Sequence, residues 1–325
     1  MEYRRLGKSG LQVSALSLGS WLTIGKSVDE KLSEKLMIHA YDNGINFFDG
    51  AEIYANGQAE IVMGKVLKKT KWNRTSYVVS SKAFFGIYGE KSKPNQRGLS
   101  RKHLVEACNE ALQRMQVEYL DLYLCHRPDA NTPMEEVVFT MNHLIQQGKI
   151  FYWGTSEWSA AEIMEAHAVA KQNNLIGPTT EQPEYNMFAR RKMEVDFAPI
   201  FKNIGMGTTI WSPLNSGILT GKYNNGIPKN SRFATAGLEW LRDREVQADK
   251  IKKVEQLEKI ANKLDCKMSQ LALAWCLRNP NVSTVILGAT NLIQLKDNMK
   301  SLDVQHLLTE EINAAIEKVL NNKPH

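Results

Sequence analysis

Short apolar runs and amphipathic stretches alternate along nearly the whole chain. "ALSLG" (15–19) reads as a buried strand and precedes a helical pattern over about 29–43. "INFFDG" begins a second run at Ile45, with helical periodicity following over 58–68. "SYVVSSK" (76–82) leads through a polar loop to "SRKHLVEACNEALQRM", where Ser100 has the position of an N-cap. "YLDLYLCH" (119–126) precedes "TPMEEVVFTMNHLIQQG", with Pro133 at the helix start and Gly148 at its end. "IFYWGTS" (150–156) precedes "SAAEIMEAHAVAKQNN", and "PTTEQPEYN" (178–186) precedes a helix over roughly 194–204. "MGTTIWSPL" (206–214) comes before a long connection and helices near 246–264 and 268–278; "STVILGAT" (283–290) precedes "NLIQLKDNMKSL".

Eight strand-then-helix units imply a parallel sheet, because each strand returns to the same edge only through its helix. Eight units predict one closed (β/α)₈ barrel domain spanning 1–325, with no Pro/Gly/Ser linker dividing it. "YRRLGKSGLQVS" carries a turn signal at Gly7 to Gly10 and is expected to form a hairpin under the barrel. The connection from about Asn215 to Glu245 is too long for an ordinary barrel loop and has the length of a lid or binding loop.

Composition narrows the field without choosing within it. The 325 residues carry 41 basic and 35 acidic side chains, a net charge of +6, with 43 % apolar residues. No block of like charge suggests a nucleic-acid arm. No apolar run approaches the roughly 18 residues of a membrane span, and "MEYRRLGKSG" lacks the apolar core of a signal peptide. A cytoplasmic protein is expected. Cys108, Cys125, Cys266 and Cys276 have no C-x-x-C spacing and read as reduced thiols. The seven histidines show no metal spacing.

The strand ends carry the chemistry. In a parallel barrel, reacting groups sit at the C-terminal ends of the strands. The second run ends at Asp49, with Tyr54 just beyond; the third ends at Lys82 and the fourth at His126. Neighbouring strand ends converge above one mouth. A tyrosine hydroxyl titrates near 10, and an ammonium beside it favours the phenolate. At about 4 Å and an effective dielectric of about 20 the pair interacts by about 4 kcal/mol, at most about three pKa units. A lowered Tyr54 pKa is therefore expected, with Asp49 balancing the lysine and His126 orienting a carbonyl oxygen. Such a set donates a proton to an oxygen gaining negative charge, as in carbonyl reduction.

From "YRRLGKSGLQVSALSLGSW" to "GATNLIQLKDN" the chain resembles the aldo-keto reductase superfamily. "FFDGAEIYANGQAE", "HRPDANTPMEE", "FYWGTSEWSA", "TEQPEYNMF", "WSPLNSGILTGKYNNGIP" and "LGATNLIQLKDN" place the resemblance in the branch related to the β subunits of voltage-gated potassium channels. The family's tetrad falls on Asp49, Tyr54, Lys82 and His126. Some channel-type members carry Asn at the last position, so His126 matches the catalytically competent pattern.

The resemblance implies an NADPH/NADP+ cofactor across the barrel mouth. Trp21, Asp49 and Tyr54 are expected near the nicotinamide, Ser156 and Gln182 on its carboxamide, and Trp211 under the ring. Ser212, Leu214, Ser216 and Gly217 match pyrophosphate contacts, with Lys222 neutralising the charge and the long loop folding over as a clasp. Arg232, Gly288, Thr290, Gln294 and Asn298 match the surroundings of the adenosine and its 2′-phosphate. Thr290 and Asn291 are expected to open the last helix, whose N-terminus favours an anion. Two positions depart from the pattern: Glu157 stands where several channel-type members have Arg, losing or reversing a cofactor contact, and Asp297 replaces a Glu.

Other nucleotide motifs are absent. "GMGTTI" lacks the third glycine of a dinucleotide fingerprint and leads into a strand. No tyrosine is followed by lysine four residues later, and "LGKSG" and "IGKS" lack the upstream glycine of a phosphate loop. Two functions stay open: a reductase of small aldehydes and ketones, or a cofactor-binding, redox-sensing subunit of a potassium channel or other membrane partner. The resemblance implies a homotetramer. "SKAFFGIYGEKSKPNQRG" offers Phe84, Phe85 and Tyr88 as an apolar wall for a substrate.

Overall fold

The computed structural model describes residues 1–229 and 231–325. Strands β1 (Tyr3–Arg5) and β2 (Gln12–Ser14) form an antiparallel hairpin. Strands β3 (Leu16–Gly19), β4 (Phe47–Asp49), β5 (Val78–Ala83), β6 (Leu120–Cys125), β7 (Ile150–Ser156), β8 (Thr180–Gln182), β9 (Gly207–Ile210) and β10 (Val282–Leu287) close a parallel barrel in chain order, β10 pairing back onto β3.

Several helices start where the chain supplies a side-chain cap. Asp29 caps α1 (Glu30–Asp42) by accepting from Leu32 N, and Ser100 caps α3 (Arg101–Met115) by accepting from His103 N. Between them α2 (Gln58–Thr70) follows a left-handed Gly57. Pro133 precedes α4 (Met134–Gln146) with extended ψ, and Ser159 with Glu162 makes a capping box for α5 (Ala160–Gln172). The expected helix over 194–204 is broken into a π turn, Lys192–Asp196, and the short α6 (Ala198–Asn203), with Pro199 near its start. The long connection after β9 is not structureless: it contains two tight turns and α7 (Glu239–Glu245). After it come α8 (Ala248–Lys263), α9 (Met268–Leu277), α10 (Leu292–Met299), α11 (Ser301–Val304) and α12 (Glu310–Leu320). The expectation that the helix after β10 is the last is corrected here; the amphipathic α12 packs against α8, with its Ile316 and Leu320 buried.

Alternation along the strands sorts side chains into two populations. Phe48, Val79, Tyr123 and Cys125 pack outward against the helices in the main core. Phe47, Val78, Leu122 and Leu124 point inward, joined from below by Leu6 and Val13 of the hairpin. Gly7 is required here: its φ is +59°, and a Cβ would fall 2.3 Å from the amide nitrogen of Gly207, so the hairpin sits directly on the start of β9. The hairpin thus plugs the N-terminal end. One turn higher, Asp49, Ser80 and Lys82 replace the apolar layer with a polar one.

Candidate active site

The register of the parallel strands brings this polar layer together. Asp49 pairs with Ser80 across β4 and β5, and Lys82 lies two residues further on the same inward face. Lys82 is fully buried and Asp49 nearly so. Lys82 Nζ donates to Asp49 Oδ2 at 2.7 Å, to the Gly50 carbonyl at 2.7 Å and to Tyr54 Oη at 3.2 Å. The second carboxylate oxygen, Asp49 Oδ1, accepts from Ser80 Oγ at 2.8 Å and from Gln182 Nε2 at 3.1 Å. A buried ion pair is tolerable only when its remaining donors and acceptors are filled, and here they are.

Tyr54 reaches this point because the chain turns sharply after β4. Ala55 and Asn56 are both left-handed, with φ of 50° and 54°, before α2 begins. Side chains rarely adopt that region, so the surroundings hold it there. The Tyr54 ring meets His126 edge-on, with centroids 5.8 Å apart. Directly after β6, His126 is tied down through its amide, which donates to the Ala83 carbonyl at 3.0 Å. Its Nδ1 is buried without a hydrogen-bond partner among the described residues. Such an atom is usually completed by something the polypeptide does not supply.

The electrostatics differ from the expectation in one respect. Burial raises the Tyr54 pKa above its ordinary value; Lys82 pulls it down, and Asp49 pushes it back up. The expected net lowering is therefore corrected: desolvation of the phenolate outweighs the ammonium, whose charge Asp49 already balances. Burial alone would depress Lys82, but Asp49 and then Tyr54 leave its pKa raised. His126 lies well below its ordinary value, through burial first and then the charges of Lys82 and Arg127. At neutral pH the site holds a protonated phenol, an ammonium and a neutral imidazole.

The cofactor candidates fall into two groups around the mouth. Near the tetrad, Gln182 also donates to Thr209 Oγ1 at 3.2 Å, and Ser156 Oγ donates to the Gln182 carbonyl at 2.9 Å. Trp21 meets Trp211 edge-to-face at 6.2 Å. Further out, Arg232 lies over Trp21, its guanidinium carbon 5.6 Å from the ring centroid, and its Nη2 approaches Gly288. Lys222 lies beside Gly217, where a Cβ would come within 3.1 Å of Nζ. Desolvation and then Arg232 lower the Lys222 pKa, and burial lowers that of Arg232. Among the described residues neither cation forms a salt bridge with a carboxylate. Ser212, Asn215, Ser216 and Gly217 all have positive φ, and Ser216 Oγ is buried without a partner among the described residues. Asn215 anchors this strained turn to Glu245 at 2.8 Å. Two unpaired cations beside a turn of this kind suit a polyanion such as a dinucleotide. Leu214 is half-buried beside them.

The remaining candidates are partly engaged. Gln294 Oε1 accepts from the Thr290 amide at 2.9 Å and from its hydroxyl at 3.0 Å, so that amide is not free as expected. Asn291, not Thr290, caps α10, accepting from Gln294 N at 2.9 Å, and Asn298 is buried. Asp297 pairs with Lys267. Glu157 is held within the protein: its Oε1 accepts from Trp211 Nε1 at 2.9 Å and from the Glu184 amide at 2.6 Å, while Oε2 pairs with Lys192 at 2.8 Å. Of the aromatic wall, Phe85 meets His126 at 5.1 Å and Phe84 meets Phe85 at 5.0 Å, but Tyr88 points to solvent, 52 % exposed.

Sequence reasoning passed over three groups. Glu52 is buried and its Oε1 accepts from the amides of Phe84 and Gly86 at 2.8 and 2.7 Å, with His103 Nε2 at 3.3 Å, fixing the loop that carries Phe85. Thr209 completes the Gln182 contacts. Arg127 follows His126 directly and reaches Ser156 Oγ at 3.4 Å. A cation immediately after a strand-end histidine was the available signal for the last.

Comparison with known proteins agrees with this geometry. Residues 15–321 match the Aldo/keto reductase family. A protein of Arabidopsis thaliana named "Probable voltage-gated potassium channel subunit beta" is 50 % identical over 325 residues, covering 100 % of this chain and 98 % of the relative. A protein of the same name from Oryza sativa subsp. japonica matches with the same identity and coverage.

Proposed function

Because the chain belongs to the aldo/keto reductase family, we propose that it is an NADPH-dependent reductase of aldehydes and ketones, with Tyr54 as proton donor. The observation that carries this reading is the buried chain of contacts from Asp49 through Lys82 to the Tyr54 hydroxyl, beneath His126. Bound NADPH supplies the hydride that such a reaction consumes. The residues of the chain do the rest. Tyr54, protonated at neutral pH, gives its proton to the carbonyl oxygen as negative charge builds there. Lys82 stabilises the phenolate left behind, and Asp49 holds Lys82 charged and aimed. Neutral His126 offers a ring nitrogen to the same oxygen and fixes its direction. Lys222 and Arg232 would hold the phosphates, Arg232 in two-pronged fashion on the 2′-phosphate. Trp21 and Trp211 would frame the nicotinamide, with Ser156 and Gln182 on its carboxamide.

A second reading rests on the names of the plant relatives: a cytoplasmic, tetrameric regulatory subunit that binds the cofactor and reports redox state to a channel. Among the described residues no helix is long and apolar enough to cross a membrane, so any such role requires a separate membrane partner. Steady-state NADPH oxidation with an aromatic aldehyde separates the two. Turnover supports the reductase; tight cofactor binding without turnover supports the sensor.

A further inference from the structure

We propose that Arg127 is an anion subsite that selects carbonyl substrates bearing a carboxylate or phosphate. The proposal rests on the reductase reading and names its substrate class. Arg127 is half-buried, and among the described residues its Nη1 reaches only a main-chain carbonyl, that of His126, and the Ser156 hydroxyl at 3.4 Å. No carboxylate pairs with it among the described residues, although other cations in similar surroundings have one: Arg74 has Asp121 and Arg114 has Glu60. A guanidinium withdrawn from bulk water with most donors uncommitted is poised for an external anion, which it grips through two parallel hydrogen bonds.

Its position relative to the tetrad gives the reach. Tyr54 packs on His126 at 5.8 Å, His126 on Phe85 at 5.1 Å, and the Arg127 guanidinium carbon lies 5.6 Å from the Phe85 ring centroid. These four groups form one continuous wall. A carbonyl at Tyr54 and His126 would extend its body along Phe85 and place a terminal anion at Arg127. One aromatic ring or a short carbon chain between carbonyl and anion suits that path. Glu52 pins the amides of Phe84 and Gly86, so the wall is fixed and selection by length follows.

The test compares 4-carboxybenzaldehyde with its neutral methyl ester, in wild-type protein and in Arg127→Met and Arg127→Lys. A charge-assisted hydrogen bond predicts that wild type prefers the carboxylate, and that Arg127→Met lowers the carboxylate-to-ester ratio of kcat/KM by about ten- to hundredfold. The loss should appear in KM for the carboxylate, with Arg127→Lys restoring part of it. Equal losses of kcat on both substrates would overturn the subsite and assign Arg127 to the chemistry. A matching loss of NADPH affinity would overturn it in favour of a cofactor contact. Absence of any preference in wild type would also refute it. Calorimetric binding of 4-(hydroxymethyl)benzoate and its methyl ester to the cofactor-loaded protein reads the subsite without turnover. If neither aldehyde is reduced but the carboxylate still binds through Arg127, the reductase reading fails and the subsite stands; if it binds no better than the ester, both fail.

Discussion

Replacing Tyr54 with phenylalanine isolates the proton donor from the architecture around it. The hydroxyl accepts the longest of the three Lys82 contacts, 3.2 Å, while the bonds to Asp49 and Gly50, both 2.7 Å, remain. The ring keeps its edge contact with His126 and stays beneath Lys82, whose Nζ is 4.8 Å from the ring centroid. The lost hydrogen bond is worth about 1 kcal/mol of stability, below the about 1.5–3 kcal/mol of those made to charged groups because it is long. At about 2.1 cal/mol/K of unfolding entropy per residue, a change of that size moves the melting temperature of this 325-residue chain by about 1.5 °C. The catalytic effect is of another order: removing a positioned general acid costs about 10²- to 10⁴-fold. Single-turnover NADPH oxidation with an aromatic aldehyde measures the rate, fluorescence titration the cofactor affinity, and thermal unfolding the stability. We expect a rate loss in that range, NADPH affinity within a few-fold, and a small change in melting temperature. A variant that keeps more than about a tenth of the wild-type rate would refute the assignment, because no neutral group in the site can replace a donor worth two orders of magnitude.

Three further outcomes follow from the same geometry. Lys82→Met leaves the Asp49 carboxylate buried with only Ser80 and Gln182 as donors and should cost about 3–5 kcal/mol in urea unfolding; a loss under about 1 kcal/mol would mean the carboxylate is not dependent on its partner. Arg232→Ala should weaken NADPH far more than NADH in titrations, and equal losses would remove the 2′-phosphate from its vicinity. Burial raises the Glu181 pKa from 4.5 to about 8, against the lowering from Lys192 and Thr155. Between those values the folded chain holds a proton that the unfolded chain has released, so stability should fall as pH rises, by up to about 1.4 kcal/mol per pH unit. Glu184, raised to about 7, adds a slope of the same sign. Denaturant unfolding across that window should show Glu181→Gln flattening the dependence; an unchanged slope would place the titration elsewhere.

The strand–helix alternation, the hairpin and most boundaries were legible because each rests on local chemistry: apolar period, Ser100 and Asp29 caps, the Pro133 start. The break at Lys192–Asp196 and the helix Glu239–Glu245 were not, since neither has an apolar period long enough to stand out. The convergence of Asp49, Lys82, Tyr54 and His126 followed from strand ends alone. Glu52, Thr209 and Arg127 escaped because buried or half-buried polar side chains within ordinary loops and strands look the same as solvated ones until their partners are known. The direction of the Tyr54 pKa departs from the sequence expectation for a related reason. A pair of residue types gives the sign of their Coulomb interaction, but the cost of burying the phenolate depends on how much water the fold removes.

The sequence by itself determined the barrel, because parallel pairing of eight repeated units leaves few other ways to bury their apolar faces, and it determined which strands end in titratable groups. Only the tertiary structure decided what those groups do to one another. It set the 2.7 Å tie between Lys82 and Asp49, left, among the described residues, His126 Nδ1 without a hydrogen-bond partner and Lys222, Arg232 and Arg127 without a carboxylate, and turned Glu157 inward onto Trp211. Proton affinity and ligand preference depend on separations of a few ångströms across segments about thirty residues or more apart in the chain. Those separations are fixed by packing, which local residue patterns do not encode.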